Sequence, residues 1–130
     1  MSSSRRDFLL GAGCLFAAGT RLTACTPSAP RVQFLEVRLA ELPAQGGKVV
    51  SFNGVPVDVR RGPDGGVVAF SLICTHQGCT VAWSEKDLAF VCPCHGGSYS
   101  ADGNPLRQPP VRPLFRVPAR LDGDRVILGS

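Results

Sequence analysis

Two short clusters of soft-metal ligands constrain this chain more than any other feature. They read Cys74-Thr75-His76-Gln77-Gly78-Cys79 and Cys92-Pro93-Cys94-His95-Gly96-Gly97-Ser98-Tyr99, with 12 residues between Cys79 and Cys92. Both histidines of the 130-residue chain and four of its six cysteines fall in these two boxes. A fold that carries them must bring two loops face to face around one centre.

Each box supplies one thiolate and one imidazole, as Cys-x-His in the first and Cys-x-x-His in the second. A single zinc ion takes such a set as a closed tetrahedral site. A 2Fe-2S cluster takes it with cysteines on one iron and histidines on the other. Cys79 and Cys94, one per box, are surplus to a four-coordinate zinc and weigh toward the cluster. A zinc-stabilised interaction module remains the alternative, and colour separates the two: zinc protein is colourless and the iron-sulfur protein red-brown.

The boxes resemble those of the Rieske iron-sulfur proteins, whose pattern is Cys-Thr-His-x-Gly-Cys followed by Cys-Pro-Cys-His-Gly. The resemblance implies one 2Fe-2S cluster, with Cys74 and Cys92 on one iron and His76 and His95 on the other. Cys79 and Cys94 would form the family's inter-loop disulfide, which is also the best reading of two surplus ligands. It further implies an all-β fold of three small antiparallel sheets, with the cluster at the tip of a minor subdomain. A proline loop containing Pro109, Pro110 and Pro113 would cover the cluster; the glycine that usually begins it is Gln108 here. The resemblance extends over residues 31–129.

High-potential members place a serine two residues after the second ligand histidine and a tyrosine two further on. Those positions are Gly97 and Tyr99 here. Tyr99 is expected to donate to a ligand sulfur and the serine donor is missing, so the potential should lie below that of serine-containing members. On this reading Gly97→Ser raises it. His76 and His95 would each keep one ring nitrogen near solvent, able to couple a proton to the electron or to meet a partner.

The N-terminus reads as an address. Ser4-Arg5-Arg6-Asp7-Phe8-Leu9-Leu10 resembles the twin-arginine export signal and opens an apolar run. Residues 8–20 would give about 20 Å of helix against roughly 30 Å of hydrocarbon, and they include three glycines, so the run is too short to span. Leu22-Thr23-Ala24-Cys25 resembles a lipobox, which would make Cys25 a lipidated first residue and discard Cys14 with the signal. The expected layout is a signal at 1–24, a linker at 25–30 and the iron-sulfur domain at 31–130. Export of an already folded, cofactor-bearing protein and an oxidising destination for a disulfide agree with each other. The expected place is the periplasmic side of a bacterial membrane, held by lipid.

Downstream, 15 glycines and 11 prolines separate short β-rich runs. Strands are predicted over residues 32–39, 48–52, 55–60, 67–73, 81–83, 88–91, 115–120 and 125–128. Asn53-Gly54 reads as a type I′ hairpin turn, Gly62-Pro63-Asp64-Gly65-Gly66 and residues 84–87 as turns, and Asp122-Gly123 as the last hairpin. Trp83 reads as packing. Removing the first 24 residues takes away Arg5, Arg6, Arg21 and Asp7 and leaves 11 basic against 9 acidic groups, with no basic stripe, so nucleic-acid binding has no support.

The function implied is one-electron transfer to a cytochrome or oxidoreductase partner, with quinol as the possible donor. The protein would be a component of a quinol-oxidising complex or the small subunit of an arsenite-oxidase-like enzyme. A ferredoxin of an aromatic-ring dioxygenase is the alternative; such proteins usually lack the two extra cysteines and need no export signal. Nothing in the chain suggests catalysis by the domain alone.

Overall fold

The computed structural model describes residues 33–110 and 112–129. The export motif, Cys25 and the linker lie outside the described residues.

Ten strands and one 3-10 turn follow in order: β1 (Leu35–Arg38), the turn Leu39–Glu41, β2 (Lys48–Phe52), β3 (Val55–Arg61), β4 (Val67–Ser71), β5 (Ala82–Ser84), β6 (Ala89–Val91), β7 (Ser98–Tyr99), β8 (Pro105–Arg107), β9 (Ala119–Asp122) and β10 (Arg125–Leu128). They form three antiparallel sheets, ordered β1-β10-β9, β2-β3-β4 and β5-β6-β7-β8. The expected all-β architecture of three small sheets is what the chain adopts. No helix among the described residues is long and apolar enough to cross a membrane.

The β2–β3 hairpin turns on Asn53 (φ 52°) and Gly54 (φ 78°), both in the left-handed region that a type I′ turn demands. Several strand ends differ from the pattern in the sequence: β1 covers Leu35–Arg38 of the predicted 32–39, β3 reaches Arg61, β5 lies one residue later at Ala82–Ser84, and three further differences have a visible cause. The strand from residue 67 stops at Ser71, and Ile73 continues only as a lone bridge to Thr80. Leu88 sits in a turn at φ 48° with its side chain exposed, so β6 begins at Ala89. The last hairpin opens at Ala119, because Pro118 has no amide to give the ladder and residues 115–117 are engaged elsewhere. There Phe115 O accepts from Ser71 N and Val117 N donates to Ala69 O, along β4. Asp122 pairs with Arg125, so the turn is Gly123-Asp124. Strands β7 and β8 were not legible in the sequence.

Strand alternation divides the interior into two cores. Val57 and Val59 of β3 join Val37, Leu42, Ala69, Val126 and Leu128 in a base core between the first two sheets. Phe70, one residue after Ala69 and therefore on the other face of β4, belongs to the second core with Leu72, Val81, Phe90, Tyr99 and Leu114. Cys74 and Cys92 complete that second core, so the boxes are anchored from beneath by apolar packing.

The opposite face of β3 carries Asp58 and Arg60, which are 1% and 5% exposed. Arg60 Nε and Nη2 donate to the two Asp58 carboxylate oxygens at 2.6 and 3.1 Å. The guanidinium lies over the rings of Trp83 (4.0 Å) and Phe90 (4.4 Å), which belong to the sheet that carries the second box. Trp83 thus packs as expected, but against a buried cation that sequence reasoning missed. Asp58 and Arg60, alternating with Val57 and Val59, were the available signal.

Candidate metal centre

The two boxes fold as the same loop twice. In the first, Cys74 N donates to Cys79 O (2.7 Å) and Gly78 N to Cys74 O (2.9 Å). In the second, Cys92 N donates to Gly97 O (2.8 Å) and Gly96 N to Cys92 O (3.0 Å). Each turn closes through a glycine at positive φ, 76° at Gly78 and 69° at Gly96, which is why both boxes need glycine at that place. The hairpin β5–β6 and the strand β7 hold the second loop; the bridge Ile73–Thr80 closes the first.

This construction sorts the ligand types by depth. Cys74 and Cys92 are free and buried, and each thiol shifts the proton affinity of the other. His76 and His95 are exposed, with ring centroids 5.1 Å apart at an interplanar angle of 81°. The paired loops thus carry two buried thiols and two exposed, adjoining imidazoles.

Cys79 and Cys94 form a disulfide that ties one loop to the other, with Cα atoms 6.5 Å apart. The Sγ atoms of Cys79, Cys92 and Cys94 all lie within 4.8 Å of one another. Two of these three are spent in the S–S bond, so this trio marks the disulfide lying beside Cys92, not a separate metal site. The bond closes a loop of sequence separation 15, for which chain entropy alone gives about 3 kcal/mol. Replacing both cysteines by alanine is expected to lower unfolding stability by about that amount. Urea melts followed by circular dichroism check it; an unchanged midpoint would mean that the loops are held by their own hydrogen bonds.

Donors are aimed at the buried sulfurs. Burial pushes the Cys74 thiol up, but the Tyr99 hydroxyl and the backbone amides of His76 and Gln77 outweigh it, leaving Cys74 below the ordinary thiol value. Cys92 is held above it: burial and the neighbouring Cys74 sulfur raise it, against the amides of Cys94 and His95. Tyr99, fully buried, is pushed up by burial and by Cys74, so it remains a hydroxyl donor. Its Oη lies 3.3 Å from Cys74 Sγ. A metal-bound thiolate needs such donors, since its charge is otherwise stranded in an apolar core.

A third element closes the site. Pro110 is buried and Pro109 half-buried, packed against Gly97, while Pro113 is exposed. Thr75 Oγ1 donates to the carbonyl of Arg112 at 2.8 Å, fastening this loop to the first box. A role for Thr75 was not read from the sequence. Gly97 serves differently from the expectation: a Cβ there would stand 2.5 Å from Pro110 Cδ, so the space for a serine side chain is filled by the proline loop.

The residues present fit a cofactor that wants two thiolates and two imidazoles. Residues 33–118 match the family described as the Rieske [2Fe-2S] domain. The chain is 37% identical over 93 residues to the cytochrome b6-f complex iron-sulfur subunit of Chlorobaculum thiosulfatiphilum, covering 72% of this chain and 51% of that one. It thus spans about half the length of the curated relatives it matches. Among solved structures it is similar to the cyanobacterial plasma membrane Rieske protein PetC3 from Synechocystis PCC 6803, with TM-score 0.65, 33% identity and coverage of 74% of this chain and 99% of that one. It is also similar to a chain of a hyperthermophilic respiratory Complex III, with TM-score 0.61, 33% identity and coverage of 70% and 71%. With the family match spanning both boxes and the loop that covers them, the chain belongs to the Rieske [2Fe-2S] family and its cofactor is one 2Fe-2S cluster.

Proposed function

We propose that this protein transfers single electrons within a quinol-oxidising membrane complex on the outer face of a bacterial membrane. In this reading Cys74 and Cys92 hold one iron and His76 and His95 the other. The observation that carries it is the depth sorting of the donors, two buried thiols beneath two exposed imidazoles. Electrons leave or arrive through the exposed histidine edge while the sulfur side stays dry.

When bound, the cluster supplies a one-electron couple that imidazole ligation places at roughly −150 to +300 mV. The chain's own residues do the rest. Amides from both loops and the Tyr99 hydroxyl stabilise charge on the sulfurs. The disulfide and the proline loop hold the two boxes at fixed separation. His76 and His95 are exposed, so with one ring nitrogen on iron the other would be open to give or take a proton with a quinol or to touch a redox partner.

Relatives that are iron-sulfur subunits of a cytochrome b6-f complex, and the likeness to a Complex III chain, support a quinol-oxidising assembly. The inter-loop disulfide counts against the ferredoxin alternative. Delivery by the twin-arginine-like segment at 1–24 and anchoring by lipid at Cys25, through a linker at 25–30 to the domain at 31–130, complete the proposal. The test is an electron paramagnetic resonance redox titration of the full-length protein at several pH values. The expected result is a reduced-state Rieske signal with a positive potential that falls at alkaline pH. A clearly negative, pH-independent potential would move the protein to ferredoxin-like service.

A further inference from the structure

Four polar atoms between the first box and the proline loop share fewer protons than they have contacts. Tyr99 Oη accepts from the amide of Thr75 (3.0 Å), lies 3.0 Å from Thr75 Oγ1 and lies 3.3 Å from Cys74 Sγ. Thr75 Oγ1 in turn lies 2.8 Å from the Arg112 carbonyl. A carbonyl only accepts, so that contact is a hydrogen bond only if the Thr75 proton points to it. Thr75 Oγ1 is then an acceptor toward Tyr99. The single Tyr99 proton is contested between Thr75 Oγ1 and the Cys74 sulfur.

Two arrangements satisfy this ledger with the 3.0 Å Tyr99–Thr75 contact kept as a hydrogen bond; a third, with Thr75 O–H on Arg112 O and Tyr99 O–H on Cys74 Sγ, makes both outer bonds but sets the two hydroxyl oxygens lone pair against lone pair. In the first of the two, the chain runs from Tyr99 O–H to Thr75 Oγ1 and from Thr75 O–H to Arg112 O, so the loop is fastened and Cys74 goes without the hydroxyl. In the other, Thr75 O–H turns to Tyr99 Oη, Tyr99 O–H turns to Cys74 Sγ, and Arg112 O is released. Chains of this kind reinforce themselves, which makes each arrangement a unit. Tyr99 is fully buried, so water does not substitute for either partner.

We propose that Thr75 is a positioning residue that links the proline loop to the cluster: while its hydroxyl holds the Arg112 carbonyl it draws the Tyr99 proton away from Cys74, and when the loop lets go that proton is returned to the sulfur. Reduction adds negative charge at the sulfurs and so favours the second arrangement, loosening the loop. By reciprocity, a ligand or partner that lifts the loop makes the cluster easier to reduce. This rests on Cys74 being a cluster ligand, as proposed above.

The experiment is a double-mutant cycle on the full-length protein, reading midpoint potential by electron paramagnetic resonance titration in the wild type, Thr75→Val, Tyr99→Phe and the double variant. Thr75→Val leaves Cys74 as the sole acceptor for Tyr99, so the potential is expected to rise, and to rise only where Tyr99 is present. Thr75→Ser, which keeps the hydroxyl, is expected to restore the wild-type value. Hydrogen exchange supplies the second readout: the Arg112 and Leu114 amides should exchange faster in the reduced than in the oxidised wild type, and equally in Thr75→Val. A Thr75→Val shift of the same size in the Tyr99→Phe background, or no shift at all, overturns the linkage. A wild type without a Rieske signal would instead remove the ligand assignment on which it stands.

Discussion

Replacing Asp58 by alanine is expected to destabilise the domain by about 3–5 kcal/mol, the cost of leaving a buried cation without its partner. Arg60 is 5% exposed, lies over the Trp83 and Phe90 rings and has both Asp58 oxygens as its acceptors. Without the carboxylate, its guanidinium keeps only the ring faces. The stability of a domain this size is of order 5–15 kcal/mol, so a single substitution on the far side of a strand from the base core would consume much of it. The pair also requires Gly47 to stay bare, since a Cβ there would fall 2.2 Å from Asp58 Oδ1.

The exposed pairs Lys48–Glu41 and Arg125–Glu36 provide the contrast. Breaking either should cost no more than about 1 kcal/mol. Replacing both Asp58 and Arg60 by leucine and methionine is expected to recover most of the loss, because a buried pair is often no better than apolar packing of similar volume. Urea melts of the four proteins make the comparison. An Asp58→Ala variant as mildly affected as a surface pair would show that Arg60 does not depend on its carboxylate.

Gly97→Ser is expected to displace the proline loop and to cost about 1–3 kcal/mol, the range for overpacking a filled site. The clashing atoms are Pro110 Cδ at 2.5 Å, Pro110 Cγ at 3.1 Å and Pro109 Cδ at 3.2 Å from the added Cβ. They belong to proline rings, which cannot swing aside as a long side chain would. Gly97→Ala should therefore be destabilised alike, and any change of potential shared by the two variants reports the moved loop. Only the excess of the serine variant over the alanine variant measures a new hydroxyl donor. Full stability in Gly97→Ala, by thermal melt, would mean that the loop yields freely.

The two boxes show where sequence is sufficient. Their ligand types and turn glycines are local requirements, because each loop closes on hydrogen bonds within six consecutive residues, from Cys74 to Cys79 and from Cys92 to Gly97. The Asn53-Gly54 hairpin is legible for the same reason, both residues being suited to positive φ. The fold class follows from such local signals repeated along the chain.

What was missed depends on partners remote in sequence. Thr75 meets Arg112, 37 residues on, and Gly97 meets Pro110. Arg60 meets Trp83 and Phe90 across two sheets. Strands as short as β7 and β8 carry too few residues to show an alternating pattern, and the last hairpin took its register from Val126 and Leu128 turning into the base core. The sequence by itself determined that two ligand-bearing loops exist and what they can bind, because ligand identity and turn geometry are written within each loop. Tertiary structure alone decided which hydroxyl lies beside which sulfur, which glycine must stay bare and which charge is buried, because close packing is settled only when distant segments meet.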